Sequence, residues 1–158
     1  MKHILVYIDG TEESIAAAQY AIILSRSAGA DLTALYVVNT RALDDLVKSK
    51  IFLKSEEEEY KTDLEKDAER YLNHVRNLAR GKGVVIKTVH ISGSVQAEIK
   101  KHITELKIDL LVIGELSKIR SRRDELFNEA ERAMRSVHCP VLIVKNSEEV
   151  WNLFENYT

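Results

Sequence analysis

Cysteine is almost missing from this chain of 158 residues: Cys139 stands alone. A single thiol cannot close an intrachain disulfide or supply a multi-thiolate metal site. It also suits a reducing compartment better than a secreted one. An excess of either charge is missing too. Lys plus Arg number 23 and Asp plus Glu 25, for a net charge of -2. That balance argues against nucleic-acid binding driven by bulk positive charge. No apolar run approaches the length of a membrane span. The first run, Ile4 to Ile8, follows Met1-Lys2-His3 directly and stops at Asp9-Gly10, which does not read as a secretory leader. The cytoplasm is therefore the expected location, with neither nucleic acid nor membrane as a partner.

Recognisable catalytic patterns are also lacking. There is no nucleophile-elbow motif and no serine in a triad context. The histidines His3, His74, His90, His102 and His138 fall in different predicted elements, without metal-ligand spacing. The acidic run Glu56 to Glu59 opens a long helix, where negative charge is favoured by the helix dipole. The expectation is a chain with no catalytic and no metal-binding residues.

What is present is core material, 45% hydrophobic residues, enough for one compact domain. It is arranged as short apolar runs alternating with amphipathic segments, without internal repeats or low-complexity linkers. Ile4 to Ile8 is continuous rather than alternating, as a strand buried on both faces requires. Asp9-Gly10-Thr11 turns the chain into a helix ending near Ala28, with Gly29 as its stop. Asp31 to Val38 reads as the second strand, and Asn39 to about Ser55 as a long connection of weak periodicity. Glu56 to Arg80 carries apolar residues at steps of three and four and closes at Gly81.

Val84 to Ile91 is β-branched and reads as the third strand. A helix opened by Ser92-Gly93-Ser94 follows, and then Leu110 to Ile113 with Gly114 at its end. A polar loop from Glu115 to about Arg123 leads to a helix bearing Leu126, Ala130, Ala133, Met134 and Val137. The only proline, Pro140, starts the fifth strand, Val141 to Val144, at a position where no ladder bond is lost. Five such strands separated by helices imply an α/β fold of three layers, α/β/α, around a parallel sheet with right-handed crossovers.

In such sheets ligands bind beyond the carboxyl ends of the strands, where strand order reverses. Two places attract attention on that ground. Asp9 ends the first strand, and its carboxylate either accepts hydrogen bonds from a ligand or caps the first helix. Gly114 ends the fourth, with Lys118, Arg120, Arg122 and Arg123 crowding the loop behind it. Those cations either hold phosphates or are simply solvated. A phosphoryl-accepting receiver domain would want an acidic residue after the third strand, where Ser92 and Gly93 stand instead.

Several pieces, in order, resemble the universal stress protein family from roughly Lys2 to Lys145. They are Ile4 to Glu12, Leu32 to Val38, Gly93, Asp109-Leu110-Leu111-Val112-Ile113-Gly114 and Cys139-Pro140-Val141-Leu142-Ile143-Val144. The resemblance implies an adenine nucleotide alpha hydrolase-like fold with strand order 3-2-1-4-5. It implies a homodimer through the fifth strand, Val141 to Val144. Residues 1–145 would form the family domain, and 146–158 a helical extension in which Val150, Trp151, Phe154 and Tyr157 share one side. That helix is expected to pack on its own domain, with docking on a partner subunit as the alternative.

Some members of this family bind ATP, with the acidic residue after the first strand near the adenine. Their phosphates lie in a loop of pattern Gly, two residues, Gly, nine residues, Gly and Ser or Thr. Laid on this chain, the pattern falls on Gly114, Ser117, Phe127 and Asn128, so one of four positions keeps its type. Glycine lets backbone amides approach phosphate closely, and Phe127 puts a large side chain there instead. Each charge-assisted hydrogen bond lost is worth about 1.5–3 kcal/mol, or tenfold or more in affinity. The expectation is a non-catalytic stress-response protein, without a cofactor, acting through dimerisation and protein contacts. The alternative is an adenine-nucleotide switch (ATP or AMP) built on Asp9, Gly114, Ser117, Asn128 and the basic loop Lys118 to Arg123.

Overall fold

The computed structural model describes residues 1–50, 53–116 and 129–158, the side chains of Arg41, Ala42 and Leu46 excepted. Strand β1 (His3–Ile8) leads to helix α1 (Glu12–Ala28), β2 (Asp31–Asn39), α2 (Thr40–Lys48) and α3 (Lys54–Gly81). Then come β3 (Ile86–Gly93), α4 (Val95–Glu105), β4 (Leu110–Gly114), α5 (Glu129–Ser136), β5 (Val141–Val144) and α6 (Ser147–Asn156). The strands form one parallel sheet in the order β3-β2-β1-β4-β5, as the resemblance implies.

The central strand explains the three layers. Ile4, Val6 and Ile8 of β1 point to one face and join a core with α1, α3 and α6. Leu5 and Tyr7 point to the other and pack with Ile99 of α4 and Ala133 of α5. A strand buried on both sides must be apolar at every position, so the run is continuous. Its start is tied to β4 by Asp109, whose Oδ2 accepts from the amides of Lys2 at 2.7 Å and His3 at 2.8 Å. These two bonds hold the Asp109 carboxyl below its ordinary value.

Local signals set most boundaries. Thr11 caps α1, its Oγ1 accepting from the Ser14 amide at 3.1 Å, and Gly29 ends the helix in the left-handed conformation at φ 65°. The connection after β2 differs from expectation, because it contains α2. That helix buries Leu43 and packs on α3; at nine residues it is too short for its period to stand out within the long polar connection. Strand β3 starts two residues later than predicted. The Val84 amide bonds back to Ala79 O at the end of α3, so pairing with β2 begins only at Ile86, opposite Leu32. Of the predicted fourth long helix, Leu126 lies outside the described residues.

The last helix is capped by Asn146, its side chain accepting from the Glu149 amide at 3.3 Å. Helix α6 lies on α1 of the same chain, with Val150 and Phe154 buried. Beyond it, the Tyr157 hydroxyl is 2.9 Å from Ser27 Oγ, and Lys82 Nζ donates to Tyr157 O at 2.7 Å. Trp151 departs from the expected inward side, remaining 52% exposed. No described helix is long and apolar enough to cross a membrane.

Candidate functional site at the carboxyl ends of β1 and β4

The chain builds outward from β1 through β2 to β3, then crosses to β4 on the other side. Strands β1 and β4 are therefore neighbours at the point where strand order reverses. Asp9 and Gly114 stand at their ends.

Asp9 is exposed, and one of its oxygens is already used. Oδ1 accepts from the Thr11 amide at 3.0 Å and from Thr11 Oγ1 at 2.6 Å. It thereby orients the hydroxyl that caps α1; Thr11, not Asp9, is the cap itself. The Asp9 amide donates to Ser14 Oγ at 3.3 Å, and that hydroxyl donates to Thr11 O at 2.9 Å. The second carboxylate oxygen, Oδ2, makes no hydrogen bond among the described residues.

Gly10, between them, takes φ 83°, and a Cβ there would lie 2.6 Å from Tyr71 Cε2. Tyr71 in turn stacks on Tyr36 of β2, ring centroids 6.4 Å apart and planes within 6°. The Arg70 guanidinium lies 5.1 Å from the Tyr71 ring centre. Burial, followed by the nearby Asp9 charge, raises the hydroxyl pKa of both Tyr7 and Tyr36 well above the usual range. Both phenols stay protonated, so their hydroxyls remain neutral around the strand end.

Gly114 is a glycine for a packing reason. A Cβ built on it would stand 2.4 Å from Glu13 O, 2.5 Å from Glu13 C and 2.9 Å from Ser14 N. The end of β4 therefore runs against the backbone of the first turn of α1. Ser117, Phe127 and Asn128 of the signature lie outside the described residues, as do Lys118, Arg120, Arg122 and Arg123.

A residue that sequence reasoning passed over follows directly. Glu129, the first of α5, is only 3% exposed. Its Oε2 accepts from the Val95 amide at 2.8 Å and lies 3.4 Å from Ser94 Oγ. A helix N-terminus offers unpaired amides to anions, and here a side chain of the same protein already takes that place at α4. Any other anion there would compete with Glu129. Glu129→Ala is expected to cost about 1–2 kcal/mol by leaving the Val95 amide without this acceptor. Urea unfolding measures it, and a midpoint equal to wild type would refute the capping role. Among the described residues, no group of three or more His, Cys, Asp or Glu side chains could hold a metal ion.

Residues 1–145 match the universal stress protein family. A universal stress protein of Methanocaldococcus jannaschii is 32% identical over 149 residues, covering 94% of this chain and 84% of that one. The chain belongs to the universal stress protein family. Among solved structures, universal stress protein UspA from Lactobacillus plantarum superposes with a TM-score of 0.70 at 22% identity, over 91% of this chain and 97% of that one. A family member from Arabidopsis thaliana, solved with AMP bound, gives a TM-score of 0.65 at 16% identity, over 94% and 95% of the two chains. These two likenesses establish a shared fold.

Proposed function

We propose that this chain is a non-catalytic stress-response protein of the cytoplasm, acting as a homodimer through protein contacts, with ATP binding given up. The observation that carries the reading is what Asp9 and Gly114 do. Both serve the first turn of α1, one through the Thr11 cap and the other by making room for the Glu13 carbonyl. Their retention is explained without a ligand.

The dimer is assigned to β5, which pairs with β4 on one side only and leaves Ile143 37% exposed. Sequence charge supplies no basis for a nucleic-acid partner.

A second reading, an adenine-nucleotide switch, is favoured by the exposed Asp9, whose Oδ2 has no hydrogen bond among the described residues. It also draws on the AMP found in the Arabidopsis relative. Nucleotide content separates the two. Protein purified without added nucleotide, then denatured and chromatographed, is expected to release no adenine nucleotide above background while sedimenting as a dimer. Near-stoichiometric release would establish the second reading instead.

A further inference from the structure

At the β3 edge of the sheet, helix α3 and strand β3 enclose an open cleft of about 260 Å³. Small-molecule pockets are roughly 300–1,000 Å³, so this space, just below that range, has room only for a small metabolite. Strand β2 separates it from β1. Glu69, Leu72, Asn73 and Arg76 share one face of α3, and Thr88 and His90, two apart, share one face of β3.

Arg76 is the unusual member. It is half-buried, and its guanidinium is held by Asn73 Oδ1 and Thr88 Oγ1. Both partners are neutral: they orient the head without cancelling its charge, and no described carboxylate pairs with it. A guanidinium fork fixed in this way still offers N–H donors to a planar carboxylate. At the other end of the cleft, exposed Glu69 has no cationic partner among the described residues. Residues 69 and 76 are seven apart in the helix, about 10.5 Å along its axis. Buried Leu72 lies between them as an apolar floor.

We propose that this cleft binds a linear ω-amino acid, its carboxylate on Arg76, its chain over Leu72 and its ammonium on Glu69. Opposite charges about two helical turns apart, joined by an apolar floor, are complementary to opposite charges joined by a short aliphatic chain. A dicarboxylate or a phosphate dianion would bring extra negative charge toward Glu69 and is disfavoured.

The test is an amide NMR titration of the full chain with 6-aminohexanoate, butyrate, succinate and inorganic phosphate. Saturable shifts from 6-aminohexanoate are expected at residues 69–76 and 86–90, with weaker binding of the other three probes. Glu69→Gln is expected to bring 6-aminohexanoate down to the affinity of butyrate. Arg76→Gln is expected to abolish the shifts. Because Arg76 also ties α3 to β3, Arg76→Lys provides a gentler variant, in which binding weakens while the spectrum keeps its dispersion. Absence of saturable shifts at these residues overturns the proposal. So does equal binding by Arg76→Lys and wild type, or tighter binding of succinate or phosphate.

Discussion

Gly114→Ala is expected to lower stability by about 3 kcal/mol, the upper part of the range for overpacking a tight site. The added methyl would meet Glu13 O at 2.4 Å and Ser14 N at 2.9 Å, both backbone atoms of the first turn of α1. A side chain could rotate aside; a backbone carbonyl cannot. Relief requires α1 to shift, and with it the Thr11 cap and the Ser14 network that position Asp9. The general benefit of alanine over glycine, about 0.4–1 kcal/mol through the unfolded chain, is too small to compensate. In a domain of this size the melting temperature should fall by about 6–12 °C, at ~2–4 °C per kcal/mol. Gly81→Ala is the control: nothing lies within 4 Å of its added methyl, so it should be neutral or slightly stabilising. Equal melting temperatures for the two variants would remove the packing explanation of Gly114.

Phe154→Ala is expected to cost about 3–5 kcal/mol, the usual penalty for emptying a buried aromatic position. Phe154 is 3% exposed within the main core and has Lys82 Nζ 4.8 Å from its ring centre. The neighbouring end of the chain is held by Ser27, Lys82 and Arg26, whose guanidinium lies 5.3 Å over the Tyr157 ring. All of these contacts are within one chain. The loss in urea should therefore be the same at low and high protein concentration. A loss that grows on dilution would mean that the helix docks on a partner subunit instead.

The sheet was legible because β1, β4 and β5 are nearly continuous apolar runs and strand ends are marked by Asp9-Gly10, Gly93 and Gly114. The order β3-β2-β1-β4-β5 was not available from periodicity and entered through family resemblance. Helix α2 escaped notice because it spans only nine residues inside a long polar connection. The start of β3 was misplaced because the Val84 amide is claimed by the end of α3, a contact that residue type does not announce. At the site, the capping side of Asp9 was readable, since its partner Thr11 is two residues away. The roles of Gly114 and Glu129 were not. Gly114 meets α1, about a hundred positions earlier in the sequence, and Glu129 meets Val95 across 34 residues. The stack of Tyr36 on Tyr71 and the contact of Tyr71 with Gly10 likewise join positions far apart in the sequence.

These contacts sharpen what the family signature means in this chain. A glycine at the end of β4 can be kept for phosphate or for the helix beside it, and the Glu13 carbonyl supplies the second reason in full. An aspartate after β1 can be kept for adenine or for the cap of α1, and Oδ1 is committed to the cap. The direct measurement is a thermal-shift titration of wild type and Asp9→Ala with ATP, ADP and AMP, with and without magnesium. A ligand specific for the folded state raises the midpoint once its concentration exceeds its dissociation constant. The account predicts no rise in wild type at millimolar nucleotide. A saturable rise that Asp9→Ala abolishes would contradict it.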